Sequence, residues 1–224
     1  MNTMPGFSTG SRSAHRILAA VIATVAWGAL GLQLVLALQI TIGNGHSALV
    51  GLAVYFGFFT ILTNLAVAVV CSAGALRGVR SRAYAPSIVG ATTAAIVLVG
   101  LGYHFLLHAL WAPEGAQWLA DTALHYAVPI GAVAHWIAYP HSKRLPASAP
   151  LGWCVYPIAY FAYVLVRGAL LHAYPYPFVD VDKLGYGRVV LNGVGLLVAF
   201  VAVGYLVRAI ANALARRVTP AAVR

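Results

Sequence analysis

Six stretches of this chain, 17–40, 49–75, 86–110, 116–140, 151–173 and 187–212, are each long and apolar enough to cross a lipid bilayer. A hydrocarbon core of about 30 Å needs roughly 20 helical residues at about 1.5 Å each. Helix breakers separate the six: Gly43-Asn44-Gly45, Arg77 to Pro86, Pro113-Glu114-Gly115, Pro146 to Pro150, and Tyr174 to Gly187. The chain is 62% hydrophobic and 8% charged, whereas a soluble domain carries about 25% charged residues. The fold class that follows is all-α, a polytopic bundle of six transmembrane helices in one compact unit. Residues 1–14 read as a disordered cytoplasmic tail, 15–212 as the transmembrane domain, and 213–224 as a basic cytoplasmic tail.

The net charge of +10 would suggest nucleic acid in a soluble protein. Here the basic residues sit in short connections between apolar runs, so the partner is the bilayer and nucleic acid is excluded. Arg12 and Arg16 precede the first run; Arg77, Arg80 and Arg82 follow the second. Lys143 and Arg144 follow the fourth, and Arg208, Arg216, Arg217 and Arg224 close the chain. Those eleven of fourteen basic residues fall on one side, which the positive-inside rule makes cytoplasmic, so both termini are inside. Trp111, Trp118, Tyr174 and Tyr176 then form an outer aromatic belt. Lysine occurs only at 143 and 183, against a large excess of arginine, a usage that fits a GC-rich bacterial genome and a multi-pass protein of the bacterial inner membrane. Cys71 and Cys154 form no CxxC and imply neither a disulfide framework nor a zinc motif. No internal repeat of the kind that builds transporters is visible.

Ionisable residues inside spans are costly and mark candidate sites. His104 and His108 lie i, i+4 on the third span, as do Asp121 and His125 on the fourth. Arg167 and His172 lie on the fifth, Arg188 and Asn192 on the sixth, and Thr60, Thr63 and Asn64 on the second. With unbroken helices, Thr60 and His125 lie on the order of 14–16 Å below the outer edge, and Asp121, Arg167, His104 and Asn192 on the order of 7–9 Å. The polar residues thus gather in the outer half, which suggests a pocket rather than a channel. Blander roles compete. A span threonine often bonds a carbonyl one turn back. Asp121 and Arg167 could simply neutralise each other. His108 and His172 suit the outer interface, and His135 and His141 the cytoplasmic one. A metal site built from His104, His108, Asp121 and His125 is the sharpest chemical alternative. A non-catalytic scaffold or small-molecule transporter is the bland one.

Four patches carry a resemblance: Phe59-Thr60-Ile61-Leu62-Thr63-Asn64-Leu65, Trp118 to Pro129, Tyr174-Pro175-Tyr176-Pro177-Phe178, and Leu184-Gly185-Tyr186-Gly187-Arg188. Together they resemble the bacterial six-span family called Pr-six-Pr. That family is similar to the eukaryotic androgen-induced and androgen-dependent membrane proteins, which are six-span threonine hydrolases of fatty acid esters of hydroxy fatty acids. The resemblance implies Thr60 as nucleophile, in its Phe-Thr setting, with Thr63 as the alternative. It implies His125 as the essential histidine, after Trp118-Leu119 and before Pro129. Tyr126 departs from the threonine usual in the eukaryotic proteins.

The implied chemistry needs no cofactor. A threonine hydroxyl becomes a nucleophile only when a base takes its proton, and imidazole is suited to that role near neutral pH. Asp121, one turn from His125, could orient the ring as a triad acid does. Asn64, Asn192 or Arg188 could supply oxyanion donors, and Arg167 could compete for Asp121. A lipid ester would reach such a site from within the bilayer.

Overall fold

In a computed structural model, which describes residues 9–141 and 143–218, the chain is all-helical apart from its connections. The elements are α1 (Thr9–Gly43), α2 (Ala48–Tyr55), α3 (Phe59–Arg77), α4 (Pro86–Gly102), α5 (Gly115–Thr122), α6 (Val128–Ile137), α7 (Ala149–Trp153), α8 (Val155–Leu171) and α9 (Val181–Val218). Five stretches of the described residues are long and apolar enough to cross a membrane: Ser13–Gly43, Phe59–Arg80, Pro86–Leu110, Ala149–Leu171 and Val181–Arg216. The expected fourth span is helical too, because α5 runs through a π turn at Ala123–Ala127 into α6. It is not one of the five, since Gln117, Asp121, His125 and His135 dilute its apolar character. The first helix starts at Thr9, inside the stretch expected to be a disordered tail. Residues 1–8 of that tail, and 219–224 of the basic C-terminal one, lie outside the described residues. The last helix extends to Val218 and bends at Gly185, whose φ of 72° only glycine adopts without strain.

The hub of the bundle is α3. Half of its most apolar window is buried, against 17% for α9. It packs between α1 and α4 around Ile61, Val67, Ala68 and Cys71, with Val99 of α4 and Leu124 and Val128 closing the same core.

The second expected span is not one helix, which corrects the unbroken run over 49–75. The chain leaves α2 at Tyr55 and re-enters a helix at Phe59. The intervening carbonyls cannot stay unsatisfied in an apolar setting. Residues of α8 bond two of them and one in the last turn of α2: Tyr160 OH donates to Gly57 O at 2.9 Å, Tyr163 OH to Phe56 O at 3.4 Å, and Arg167 Nε to Ala53 O at 3.0 Å. The Arg167 guanidinium lies against Gly57, where an added Cβ would meet it at 3.0 Å. Thr60 therefore sits in the first turn of a helix, about 26 Å from Arg77 at its other end.

Polar groups are not confined to one half of the bundle. His135 and His141, expected at an interface, are both buried. His135 Nε2 lies 2.6 Å from Tyr84 OH, which also bonds His15, and Tyr139 OH donates to Tyr84 O at 2.9 Å. Burial raises the Tyr84 phenol above its ordinary range, so it stays neutral and can both donate and accept. Its ring lies directly over Gly74, where a Cβ would come within 2.4 Å. This cluster ties the start of α1 to the end of α6.

Candidate functional site

The site is built where two π turns face the first turn of α3. One π turn, Tyr103–Leu107, ends α4; the other, Ala123–Ala127, joins α5 to α6. Such wide turns re-aim side chains and are frequent at functional sites. Here they stack the Tyr103 ring on the His125 ring, with centroids 3.9 Å apart and planes at 15°.

Around His125 the hydrogen bonds run in one direction. Its Nδ1 lies 3.0 Å from the Asp121 main-chain oxygen and 3.2 Å from Asp121 Oδ1. A carbonyl can only accept, so Nδ1 must carry the proton. That leaves the Nε2 lone pair facing Thr60 Oγ1 at 3.3 Å. Asp121 is buried, and Tyr103 OH donates to its Oδ2. A buried carboxylate is tolerated only when its oxygens are bonded in this way.

Thr60 is buried and meets a second group besides His125. Tyr176 OH stands 3.4 Å from Thr60 Oγ1 and 3.3 Å from Thr60 N. The main-chain contact has a simple origin: the first turn of α3 has free N–H groups and Phe58 supplies no side-chain cap. Tyr176 comes from the Pro-flanked segment after α8, where it stacks on Phe178 with centroids 5.1 Å apart. Tyr176, expected in the outer aromatic belt, is buried at the site instead. The two flanking prolines, which stiffen the segment, were the signal available for its role.

The other expected residues divide clearly. Thr63 is fully buried and bonds Tyr156 OH at 2.8 Å, one turn along α3 and toward α8, so His125 faces Thr60. Asn64 is not free to stabilise an oxyanion. Its Nδ2 donates to Thr60 O at 2.8 Å and Leu124 O at 3.1 Å, which clamps α3 to the π turn carrying His125. Asn192 donates to Phe178 O and so braces the Tyr176 segment. Arg188 is exposed and lines neither cavity at the site. Arg167 bonds the carbonyls of Ala53 and Ala173 and makes no pair with Asp121. The four-residue metal set is not assembled. His104 and His108 stack on each other, with His104 directed to Tyr126 OH at 3.3 Å, while Asp121 and His125 turn inward. No group of three or more potential metal-binding His, Cys, Asp or Glu residues converges among the described residues.

Two cavities meet at Thr60, Tyr103, Leu107 and Tyr176. The first, about 200 Å³, lies between α4, α8 and α9 and is walled by Leu98, Val99, Phe161 and Gly193. Ile158, Val190 and Val194 also line it and are exposed on the outside of the bundle, so it opens on the apolar surface. The second, about 230 Å³, runs from His125 past Asp121 to Gln117 and Gln33.

No protein family, curated protein or solved structure matches the chain.

Proposed function

We propose that this chain is an intramembrane hydrolase of lipid esters, with Thr60 as nucleophile and His125 as base, akin to the bacterial Pr-six-Pr family that its sequence patches resemble. The observation that carries the reading is the relay Thr60 Oγ1, His125 Nε2, His125 Nδ1, Asp121. An apolar cavity that opens on the outer surface of the bundle supports a substrate that arrives from lipid.

The steps follow from the geometry. Thr60 Oγ1 attacks the ester carbonyl carbon as its proton passes to His125 Nε2. The carbonyl oxygen becomes an oxyanion; Tyr176 O–H, beside Thr60 Oγ1, and Thr60 N–H, which donates to Tyr176 O until substrate takes its place, serve as its donors. Collapse breaks the bond to the alcohol oxygen, which takes the proton back from His125. Water, giving a proton to the same nitrogen, then adds to the acyl carbon, and Thr60 Oγ1 leaves with that proton, which frees the acid and restores His125. Asp121 stabilises the imidazolium formed in both halves. The test is hydrolysis of a panel of acyl esters by purified protein in lipid nanodiscs. Wild type is expected to turn over at least one class and His125→Ala none; equal rates in both would refute the proposal.

Asp121→Asn separates two contributions. The main-chain carbonyl of residue 121 still holds the Nδ1–H tautomer, so only the charge is lost. The expected loss in kcat is ten- to about a hundredfold, the scale of one charged hydrogen bond. A drop of about 10⁴-fold, as when the tautomer itself is lost, would show that the main-chain bond is not used.

The same proposal includes six crossings, with 115–137 as the fourth, both termini cytoplasmic, and residence in a bacterial inner membrane. The run of basic residues at one set of connections supports it. Alkaline phosphatase fused after Arg224 is expected to be inactive, and fused after Gly115 active. An active C-terminal fusion would reverse the topology.

A further inference from the structure

The second cavity has a chemistry that ester hydrolysis alone does not require. Gln117, Asp121 and His125 repeat at i, i+4 and i+8, so one face of the helix carries a polar stripe into the cavity. Gln117 stands two turns, about 12 Å, along that face from His125. Its Nε2 donates to Gln33 Oε1 of α1 at 2.9 Å. Gln33 and Gln117 both line the cavity, with Trp111, Tyr55 and Phe58 as aromatic walls. The first cavity has nothing comparable, since its lining beyond the shared residues and Tyr160 is aliphatic or phenyl.

We infer that the two cavities take the two halves of the substrate, and that Gln33 and Gln117 select an ester whose alcohol half is a neutral polyhydroxy group. The inference rests on the hydrolase reading above. The acyl chain belongs in the apolar cavity open to lipid, because burying its methylenes there costs no polar contact. The alcohol half belongs in the other, where a paired amide offers both donors and acceptors. Hydroxyl groups, which donate and accept, match such a pair. A carboxylate or phosphate tip does not fit, because among the described residues no Lys or Arg lines this cavity and the Asp121 carboxylate does; in this the chain departs from the hydroxy fatty acid esters that its sequence patches imply. Aromatic walls beside a few placed hydrogen-bonding groups are the usual make-up of a small-molecule site. An acylated glycerol and an acylated sugar share this chemistry, and the experiment below separates them.

Three esters of one fatty acid, with glycerol, glucose and plain octanol as the alcohol, are hydrolysed by purified protein in nanodiscs, alongside binding of the non-hydrolysable 1-O-octylglycerol followed by tryptophan fluorescence. Wild type is expected to favour a polyol ester over the octyl ester by at least tenfold in kcat/KM. Gln33→Leu/Gln117→Leu is expected to erase that preference by lowering kcat/KM for the polyol ester at least tenfold. The same variant should bind 1-O-octylglycerol at least tenfold more weakly. As a control, Gly102→Leu projects into open space at the first cavity and should shorten the preferred acyl chain without moving the alcohol preference. Whichever of the glycerol and glucose esters is faster names the class. Equal use of all three alcohols, faster octyl ester turnover, or unchanged 1-O-octylglycerol binding in the double variant would overturn the inference. If no ester is hydrolysed yet the double variant still loses binding, the alcohol-site assignment holds and the hydrolase reading falls.

Discussion

Thr60→Ala is expected to lower ester hydrolysis by at least about 10³-fold, with Thr63→Val within a fewfold of wild type. Loss of the nucleophile from a set of groups that act as a unit removes nearly all of its catalysis, which is why the effect is so large. Both hydroxyls are buried on the same helix, three residues apart, so a general effect of removing a buried threonine would strike both. Only Thr60 faces the free Nε2 of His125; Thr63 is spent on Tyr156. Thr60→Ser keeps the hydroxyl and the first-turn N–H and is expected to retain measurable turnover. Initial rates with a single ester, on protein of matched thermal stability, make the comparison. Comparable losses at Thr60 and Thr63 would point to packing rather than chemistry.

Tyr176→Phe is expected to cost 10²–10³-fold in kcat with little change in KM, the usual scale for removing one oxyanion donor. The ring stays, so its stacking on Phe178 and its contact with Phe58 survive. What is lost is the hydroxyl 3.3 Å from Thr60 N and 3.4 Å from Thr60 Oγ1. A hydroxyl that merely capped the first turn of α3 would instead affect stability by about 1 kcal/mol and leave kcat nearly intact. Steady-state kinetics and thermal unfolding on the same preparation distinguish the two.

Much of the frame was legible in the sequence because lipid imposes length and polarity so strictly. The breakers fell where the connections are, and the i, i+4 pair Asp121–His125 could be read straight from spacing. What periodicity could not carry was the break at Phe56–Phe58. The run Ala48 to Leu76 is uniformly apolar or neutral, and nothing local forbids one long helix. The break exists because Tyr160, Tyr163 and Arg167, more than a hundred residues later, bond the freed carbonyls. That same distance hid the purpose of Arg167, whose obvious partner by charge was Asp121. The π turns were equally invisible, since a wide turn needs no special residue. They explain why Tyr103 and His125 stack, and why His104, one residue from Tyr103, turns away from the site. Gln117 carries no signal in the sequence, because a neutral amide near a helix end has no cost to explain; its meaning comes from Gln33, on another helix. Depth counted along an idealised unbroken span set Thr60 well inside the membrane. The break changes that count, since Thr60 opens α3 rather than continuing α2.

The central claim is that Thr60 is a nucleophile activated by His125. It is tested most directly by treating the purified protein with an activated fluorophosphonate and mapping the adduct by peptide mass spectrometry. The account predicts one adduct, on Thr60, absent from His125→Ala. An adduct on Thr63, or a Thr60 adduct of undiminished yield in His125→Ala, would contradict it.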